Sequence, residues 1–175
     1  MVRVADQSAL TEAEVELWRS FYSMRRSLDR ALDLQLQRDS HISASEYEVL
    51  IAIDQAPQRR LRIKEIAVRV SWEKSRVSHL VTRMVRRGLL DRTECPTDAR
   101  GSWIGLTPDG RRAVLGAIRG HVAAIRRYFF DVLGEGDAAV LDALSERVIG
   151  AIGCAADEDA TAGPVARAPV EASAR

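Results

Sequence analysis

The chain has 175 residues, which is enough for one domain with a hydrophobic core but disfavours two independent domains. Its net charge of +1 hides an uneven distribution, because residues 59–112 contain 14 Arg or Lys and 6 Asp or Glu, whereas the rest contains 12 basic and 19 acidic residues. A net charge of +8 in one segment and −7 elsewhere favours contact with a nucleic acid, since clustered cations displace counterions from phosphates. The alternative is a solvated basic surface without a partner.

The sequence lacks the usual features of a secreted, membrane, metal-binding or catalytic protein. The first residues show no basic-then-apolar signal pattern, and no apolar run approaches membrane-spanning length, so we expect a cytoplasmic protein. The two cysteines and the three histidines do not have the spacing of a disulfide framework or a metal site. A glycine-rich phosphate loop and a nucleophile elbow are also missing, so we predict neither an enzyme nor a cofactor.

Capping signals predict the first two helices. The T-x-x-E spacing at Thr11 starts a helix that apolar residues at helical intervals continue to about Arg38. The S-x-x-E spacing at Ser43 starts a second helix, which stops before Pro57. A basic turn then leads to a short third helix over residues 63–70.

The fourth predicted helix begins near Ser71 or Trp72 and ends at Gly88, a usual left-handed stop. With successive residues placed 100° apart, an apolar set falls on one side: Val77, Leu80, Val81, Met84 and Val85. The opposite side carries a polar and basic set: Ser75, Arg76, Ser78, His79, Thr82, Arg83 and Arg86. One face of this helix can therefore be buried while the other offers hydrogen bonds and positive charge to a ligand.

A two-stranded hairpin is predicted after this helix, with strands at residues 89–94 and 102–106 and Arg100 at the tip. A polar-faced helix followed by such a hairpin suits the major groove of DNA and the neighbouring minor groove, respectively.

Two more helices are predicted after the hairpin. Thr107 and Pro108 start the first, which runs to about Leu133, and the second runs from about residue 137 to about Ile152. From Cys154 onward the chain has no periodicity, and we predict a disordered tail.

Two short helices joined by a tight turn and followed by a hairpin form a winged helix-turn-helix. With its flanking helices, the chain resembles the multiple-antibiotic-resistance regulator (MarR) family of bacterial transcription factors. The resemblance rests on KSRVSHLVTRMVRRGLLDR at residues 74–92, D-A-R-G at residues 98–101 and L-T-P-D-G at residues 106–110. It extends over most of residues 11–152.

The resemblance implies a mainly α-helical fold, with a winged helix-turn-helix and its small β-hairpin wing at residues 43–106. Dimerisation helices would occupy residues 11–38 and 107–152, flanked by an N-terminal arm at residues 1–10 and the tail at residues 154–175. Members of the family are homodimers that bind pseudo-palindromic operators in double-stranded DNA, usually as repressors. Many release DNA when a small aromatic or phenolic compound binds. Two identical helices roughly 34 Å apart would read successive major grooves.

Base contacts are expected from the first half of the recognition helix: Ser75, Arg76, Ser78 and His79. Arg76 is the best candidate for a specific contact, because guanidinium pairs with guanine O6 and N7. Phosphate contacts are expected from Lys74, Thr82, Arg83 and Arg86. Arg100 matches the family's minor-groove arginine, and Asp98 is expected to support the wing through an ion pair.

Each assignment has a simpler alternative. Ser75 and Ser78 could simply face solvent without contacting a base, and His79 could pack against the base of the wing. Arg83 or Arg86 suits an exposed ion pair with a nearby acid, an interaction that is common and weak.

The resemblance also implies an effector cleft between the dimerisation helices and the winged helix. Candidate lining residues are Trp18, Tyr22, Arg25, Tyr47 and Ile51, because an aromatic slot with one cation suits a phenolic acid. The competing interpretation makes the aromatic residues of the first helix ordinary dimer core.

Two further alternatives concern the mode of action. Redox sensing at Cys95 is one, although Glu94 beside it disfavours the electropositive setting that a reactive thiol needs. A winged helix used for protein contact is the other, and it predicts a surface without net positive charge, unlike this one.

Overall fold

The computed structural model describes residues 9–95 and 98–161, and for residues 94, 95, 98–101 and 154–161 only the backbone. Most of the predicted N-terminal arm and the end of the predicted tail lie outside these residues. The chain divides into two units, one ending at Asp131 and the other beginning at Val132. The mainly α-helical architecture with a small antiparallel sheet is confirmed.

The first unit contains five α-helices and three strands within the described residues. In chain order they are α1 (Glu12–Ser40), α2 (Ala44–Asp54), β1 (Arg60–Leu61), α3 (Ile63–Arg69), α4 (Lys74–Arg86), β2 (Leu90–Cys95), β3 (Asp98–Leu106) and α5 (Pro108–Tyr128). The second unit contains α6 (Asp137–Thr161). The helix α5 ends five residues before the predicted end, and α6 continues nine residues past Ile152 into the segment that was predicted to be disordered.

Side-chain caps fix the start of α1 and α2 as predicted. The Thr11 hydroxyl accepts a hydrogen bond from the Glu14 backbone N–H, and the Glu14 carboxylate accepts one from the Thr11 N–H at 2.7 Å. These hydrogen bonds lower the pKa of Glu14 below its usual value. Ser43 and Glu46 form the same reciprocal cap on α2. The Asp33 carboxylate on α1 also accepts a hydrogen bond from the Ala44 N–H at 2.7 Å, which ties α2 to α1.

The three strands form an antiparallel sheet in the order β1-β3-β2. Leu61 of β1 pairs with Ile104 of β3, and Leu90 of β2 pairs with Leu106. The strand β1 was not predicted, because two residues after a basic turn carry no alternating pattern. It places the residues before α3 at the base of the hairpin.

The core of the first unit runs through the winged helix and into both long helices. Fully buried side chains include Leu50 and Ile53 of α2, Val81 and Met84 of α4, and Ile104 of β3. The same cluster contains residues of α1 and α5: Leu36, Val114 and Ala117. The second half of α1 and the first half of α5 therefore belong to the same hydrophobic core as the helix-turn-helix.

Candidate nucleic-acid interface

The helix α4 has the two faces that its sequence predicts. Val77, Leu80, Val81 and Met84 are buried and Val85 is half-buried, so the apolar side is closed within one protomer. Burial of each such side chain stabilises the fold by about 1.5–3 kcal/mol, which fixes the rotation of the helix about its axis. The opposite face must then point away from the core.

The turn between α3 and α4 is longer than predicted, so α4 begins at Lys74 rather than near Ser71 or Trp72. Ser71 adopts a left-handed conformation with φ of 53°, and the Trp72 N–H donates to the Ala67 carbonyl at 3.0 Å. This hydrogen bond closes the end of α3 and uses the residues that were assigned to the next helix. Glycine usually occupies the left-handed position, and its absence hid the boundary.

The end of α4 is fixed against the start of α5. Gly88 is left-handed with φ of 73°, and the Thr107 hydroxyl donates to its carbonyl at 2.6 Å. The same hydroxyl caps α5 by accepting a hydrogen bond from the Gly110 N–H. A Cβ at Gly110 would lie 1.9 Å from the Leu89 carbonyl oxygen, so only glycine fits there. This contact explains why the L-T-P-D-G segment ends in glycine.

The predicted DNA-contacting residues of α4 lie together on its outer face. Seven are exposed and Ser78 is half-buried; the exposed ones are Lys74, Ser75, Arg76, His79, Thr82, Arg83 and Arg86. Neither Arg83 nor Arg86 forms an ion pair with an acidic residue of the described chain, which argues against the ion-pair alternative. The Thr82 hydroxyl donates to the Ser78 carbonyl at 2.8 Å, so its proton is already used within the helix.

The side chain of Arg76 lies against Trp72. Its guanidinium carbon is 3.9 Å from the centroid of the indole ring, which is the geometry of a cation–π contact. Trp72 is itself packed on the hydrophobic core. Burial raises the pKa of Glu48 above its usual value, the positive charge of Arg76 opposes that shift, and Asp29 adds to it. The sequence pattern did not predict this contact between Trp72 and Arg76.

An anchor that was missed from the sequence joins the C-terminal end of α4 to α1 and α2. Arg87 donates to the Glu46 carboxylate at 2.6 Å and to the His41 backbone carbonyl at 2.6 Å. Burial alone would raise the pKa of the nearly buried Glu46, but the Ser43 N–H and the Arg87 guanidinium outweigh it and lower that pKa. Arg87 therefore holds the recognition helix instead of facing a ligand.

The wing is formed by β2 and β3, whose pairing is regular from Leu90 to Glu94 and shifts at Cys95. The side chains of Asp98, Arg100 and Cys95 lie outside the described residues, so their predicted roles stay predictions. At the base of the wing, Arg60 of β1 and Arg62, which follows β1, approach the Trp103 ring.

The five residues predicted to line an effector cleft do not meet in one cavity. Arg25 and Tyr47 line a cavity of about 940 Å³ between α1, α2, α4 and α5, together with Trp72, Arg76 and His121. Tyr22 lines a separate groove on α1 of about 510 Å³, and Ile51 lines one of about 420 Å³ between α2 and α3. Trp18 stacks on Tyr22 with ring centroids 6.2 Å apart and lies outside all three.

The 940 Å³ cavity has mixed chemistry. Burial lowers the pKa of His121 and raises the pKa of Tyr47, whose rings are in contact at 4.7 Å. Arg25 and Arg76 provide cations on opposite helices, and Asp29 and Glu48 provide carboxyl groups. Such a lining suits a small polar aromatic molecule better than a purely apolar one.

Within residues 9–95 and 98–161, no helix is both long and apolar enough to cross a membrane. In the same part of the chain, no three His, Cys, Asp or Glu residues are grouped as a metal site would require.

Comparison with known proteins identifies the family. The sequence model of the MarR family matches residues 42–101. Among solved structures, Sco3205, a MarR family transcriptional regulator from Streptomyces coelicolor in complex with DNA, is 35% identical with a TM-score of 0.75, over 81% of this chain and 89% of that chain. AbsC, a MarR family transcriptional regulator from the same organism, is 30% identical with a TM-score of 0.75, over 82% of this chain and 97% of that one.

A more distant structure shares the fold alone. A cysteine-to-serine mutant of MarR from E. coli, complexed with operator DNA, is 22% identical with a TM-score of 0.69, over 81% of this chain and 99% of that one. No curated protein sequence matches the chain at a significant level. Members of the family regulate transcription and are not enzymes. The predicted resemblance is confirmed, and the chain belongs to the MarR family of transcriptional regulators.

Proposed function

We propose that the protein is a homodimeric repressor that binds a pseudo-palindromic operator in double-stranded DNA, in the cytoplasm of a bacterium. The single observation that carries this proposal is the division of α4 into a buried apolar face and an exposed basic one. An exposed row of arginines without acidic partners in the described chain is suited to phosphates. The DNA complex of the relative Sco3205 supports the same assignment.

The roles of individual residues follow from their position on α4. Side chains at the N-terminal end of a recognition helix normally reach base edges, so we assign Ser75, Arg76, Ser78 and His79 to bases. Lys74, Arg83 and Arg86 contact phosphates, which position the protein without reading sequence. Thr82 contacts a phosphate once its hydroxyl rotates away from the Ser78 carbonyl. In the wing, Arg100 enters the minor groove and Asp98 braces the turn.

The second copy of the chain is needed to cover apolar surface. The N-terminal half of α1 exposes large side chains at helical spacing, among them Leu17, Trp18 and Phe21. The helix α6 exposes a similar series: Val140, Leu144, Val148, Ile149 and Ile152. On either helix, a row of exposed apolar side chains of this kind is typical of a protein interface. A two-fold dimer presents two recognition helices to two half-sites.

A small aromatic or phenolic acid is the proposed effector, and the 940 Å³ cavity is its proposed site. The arginines of the cavity would bind the carboxylate, and the rings of Tyr47, Trp72 and His121 would contact the aromatic body. Because both half-sites must be engaged together, a shift of a few ångströms between the two α4 helices releases DNA.

The test is fluorescence anisotropy with the duplex directly upstream of the protein's own gene, compared with a shuffled duplex of equal length, over a salt series. We expect tighter binding to the native duplex and a steep loss of affinity as salt rises. Equal affinity for both duplexes would mean that this DNA is not the operator. Absence of binding to either duplex at low salt would contradict the proposal.

A further inference from the structure

The base of the wing carries an arginine that neither the recognition helix nor the wing tip includes. Arg60 lies on β1, and its guanidinium carbon is 5.2 Å from the centroid of the Trp103 ring on β3. The guanidinium of Arg62 lies 5.1 Å from the same ring. One indole therefore holds two cations at the edge of the sheet.

Arg60 is held in place without being neutralised. Its Nε and Nη2 donate to the Gln58 side-chain oxygen at 3.1 and 2.5 Å. It forms no ion pair with an acidic residue of the described chain, whereas the neighbouring Arg59 lies 3.5 Å from the Asp54 carboxylate. A neutral amide fixes the direction of the guanidinium and leaves its full positive charge available.

The turn before Arg60 is also held in an uncommon conformation. Gln58 and Arg59 have φ of 61° and 50°, so two successive residues with side chains occupy the left-handed region. Such conformations cost free energy and persist where the surrounding structure enforces them. Here they direct Gln58 toward Arg60.

The position of Arg60 links two elements that approach DNA in this fold. The strand β1 pairs with β3, which continues into the wing, with Arg60 opposite Gly105. It also leads directly into α3, the first helix of the helix-turn-helix, which in such motifs crosses the phosphate backbone. A fixed and exposed cation between these two elements is suited to a phosphate.

We infer that Arg60 makes an additional contact with the phosphate backbone of DNA, and that Trp103 and Gln58 position it for that contact. This inference rests on the proposed function. Because the contact is with a phosphate, Arg60 adds affinity without reading a base. It extends the footprint from the recognition helix along the base of the wing.

The test compares Arg60→Gln with wild type on a labelled duplex of random sequence, so that it does not depend on knowing the operator. Anisotropy is measured from about 50 to about 200 mM salt, and the logarithm of affinity is plotted against the logarithm of salt concentration. The slope should become shallower by about 0.9 for each bound protomer. The difference in affinity per protomer then widens about eightfold for each tenfold dilution of salt.

Two variants serve as controls. Arg119→Gln removes the same charge from an exposed position on α5 and should leave the slope unchanged. Arg60→Lys keeps the charge and should restore most of the slope while binding less tightly, because lysine cannot reproduce the fork to Gln58. Thermal melts are used to check that all three variants are folded.

The outcomes separate this inference from the proposed function. A shallower slope in Arg60→Gln alone supports the contact. An unchanged slope in a chain that still binds DNA overturns the contact and leaves the proposed function intact, and an equal change in Arg119→Gln overturns it as an effect of net charge. If the wild type does not bind DNA, both fail.

The positioning role of Trp103 has its own readout. Trp103→Leu removes the ring under the guanidinium and should reduce affinity severalfold at low salt, whereas Trp103→Phe should retain it. Equal affinity of the leucine and phenylalanine variants, with both folded, would remove Trp103 from the contact.

Discussion

The helix α4 and the N-terminal half of α1 are both amphipathic, but the apolar face of α4 is buried within the protomer and that of α1 is exposed. Val81 and Met84 on α4 are completely buried within the protomer. Leu17 and Trp18 on α1 are 70% and 58% exposed. The same kind of sequence pattern therefore stabilises the protomer in α4, whereas in α1 it leaves an exposed surface that we propose is covered by a second chain. Periodicity shows that a face will be covered, but not by which molecule.

The largest expected effect is on the free energy of unfolding, and it tests the role of the buried apolar residues. Leu50→Ala removes a fully buried side chain from the core that also contains Val81 and Met84, and should lower the free energy of unfolding by about 2–5 kcal/mol. The loss should be the same at every protein concentration in urea titrations. Leu17→Ala is the matched control, since its effect should depend on dimerisation. Equal losses from the two variants at high dilution would break the comparison.

The second prediction tests the exposed side. Trp18→Ala should weaken dimerisation by about 2 kcal/mol or more, a rise of roughly thirtyfold in the dissociation constant measured by sedimentation equilibrium. Val68→Ala, at a 72% exposed aliphatic residue on α3, should leave that constant unchanged. An unchanged constant for Trp18→Ala would assign the aromatic cluster of α1 to another role.

The third prediction concerns the anchor between α4 and the other helices. Arg87→Ala leaves the nearly buried Glu46 carboxylate without its cation and should cost about 1.5–3 kcal/mol of unfolding free energy. The neighbouring Arg86→Ala should instead weaken DNA binding and leave stability unchanged. If both substitutions affected stability alike, Arg87 would not be a specific anchor.

The same anchor predicts how stability depends on pH. The pKa of Glu46 is lower in the folded chain than its usual value, so this carboxylate stabilises the fold above that usual value. The stabilisation is lost as pH falls through the folded pKa. Arg87→Ala removes one cause of the lowered pKa and should flatten this acid dependence in unfolding measurements. An unchanged profile would assign the acid sensitivity to other carboxylates.

The smallest expected effect distinguishes the residues of α4 that contact bases from those that contact phosphates. Arg76→Ala should cost about 1–3 kcal/mol at one base position of each half-site, measured with a panel of single-base operator variants. Lys74→Ala should weaken binding to all of them equally. A uniform loss in Arg76→Ala would reassign Arg76 to a phosphate.

Local signals gave much of the fold from the sequence. The caps at Thr11, Ser43 and Thr107 and the stop at Gly88 lie within four residues of what they control, so the sequence alone indicates them. The start of α4 was wrong because Ser71 takes a conformation that glycine usually signals.

Contacts between distant residues could not be predicted. Arg87 and Glu46 are 41 residues apart, and each already had a local interpretation, as part of a basic run and as part of a cap. The sequence also could not show how the predicted lining residues of the effector cleft are distributed among cavities. Tyr22 and Arg25 are three residues apart on α1, yet they line different grooves, and the larger cavity also takes a cation from the distant helix α4, Arg76.

Gly110 joins the start of α5 tightly to the residue that follows the end of α4 and Gly88. The start of α5 touches the chain just past α4 so closely that there is no room for a methyl group. Because no space separates these two segments, α5 cannot tilt toward Leu89 without moving it. A closely packed interior transmits strain instead of compressing. We therefore expect a displacement of α5 to move the end of α4 as well. The absence of a side chain at Gly110 therefore couples the position of α5 to that of α4.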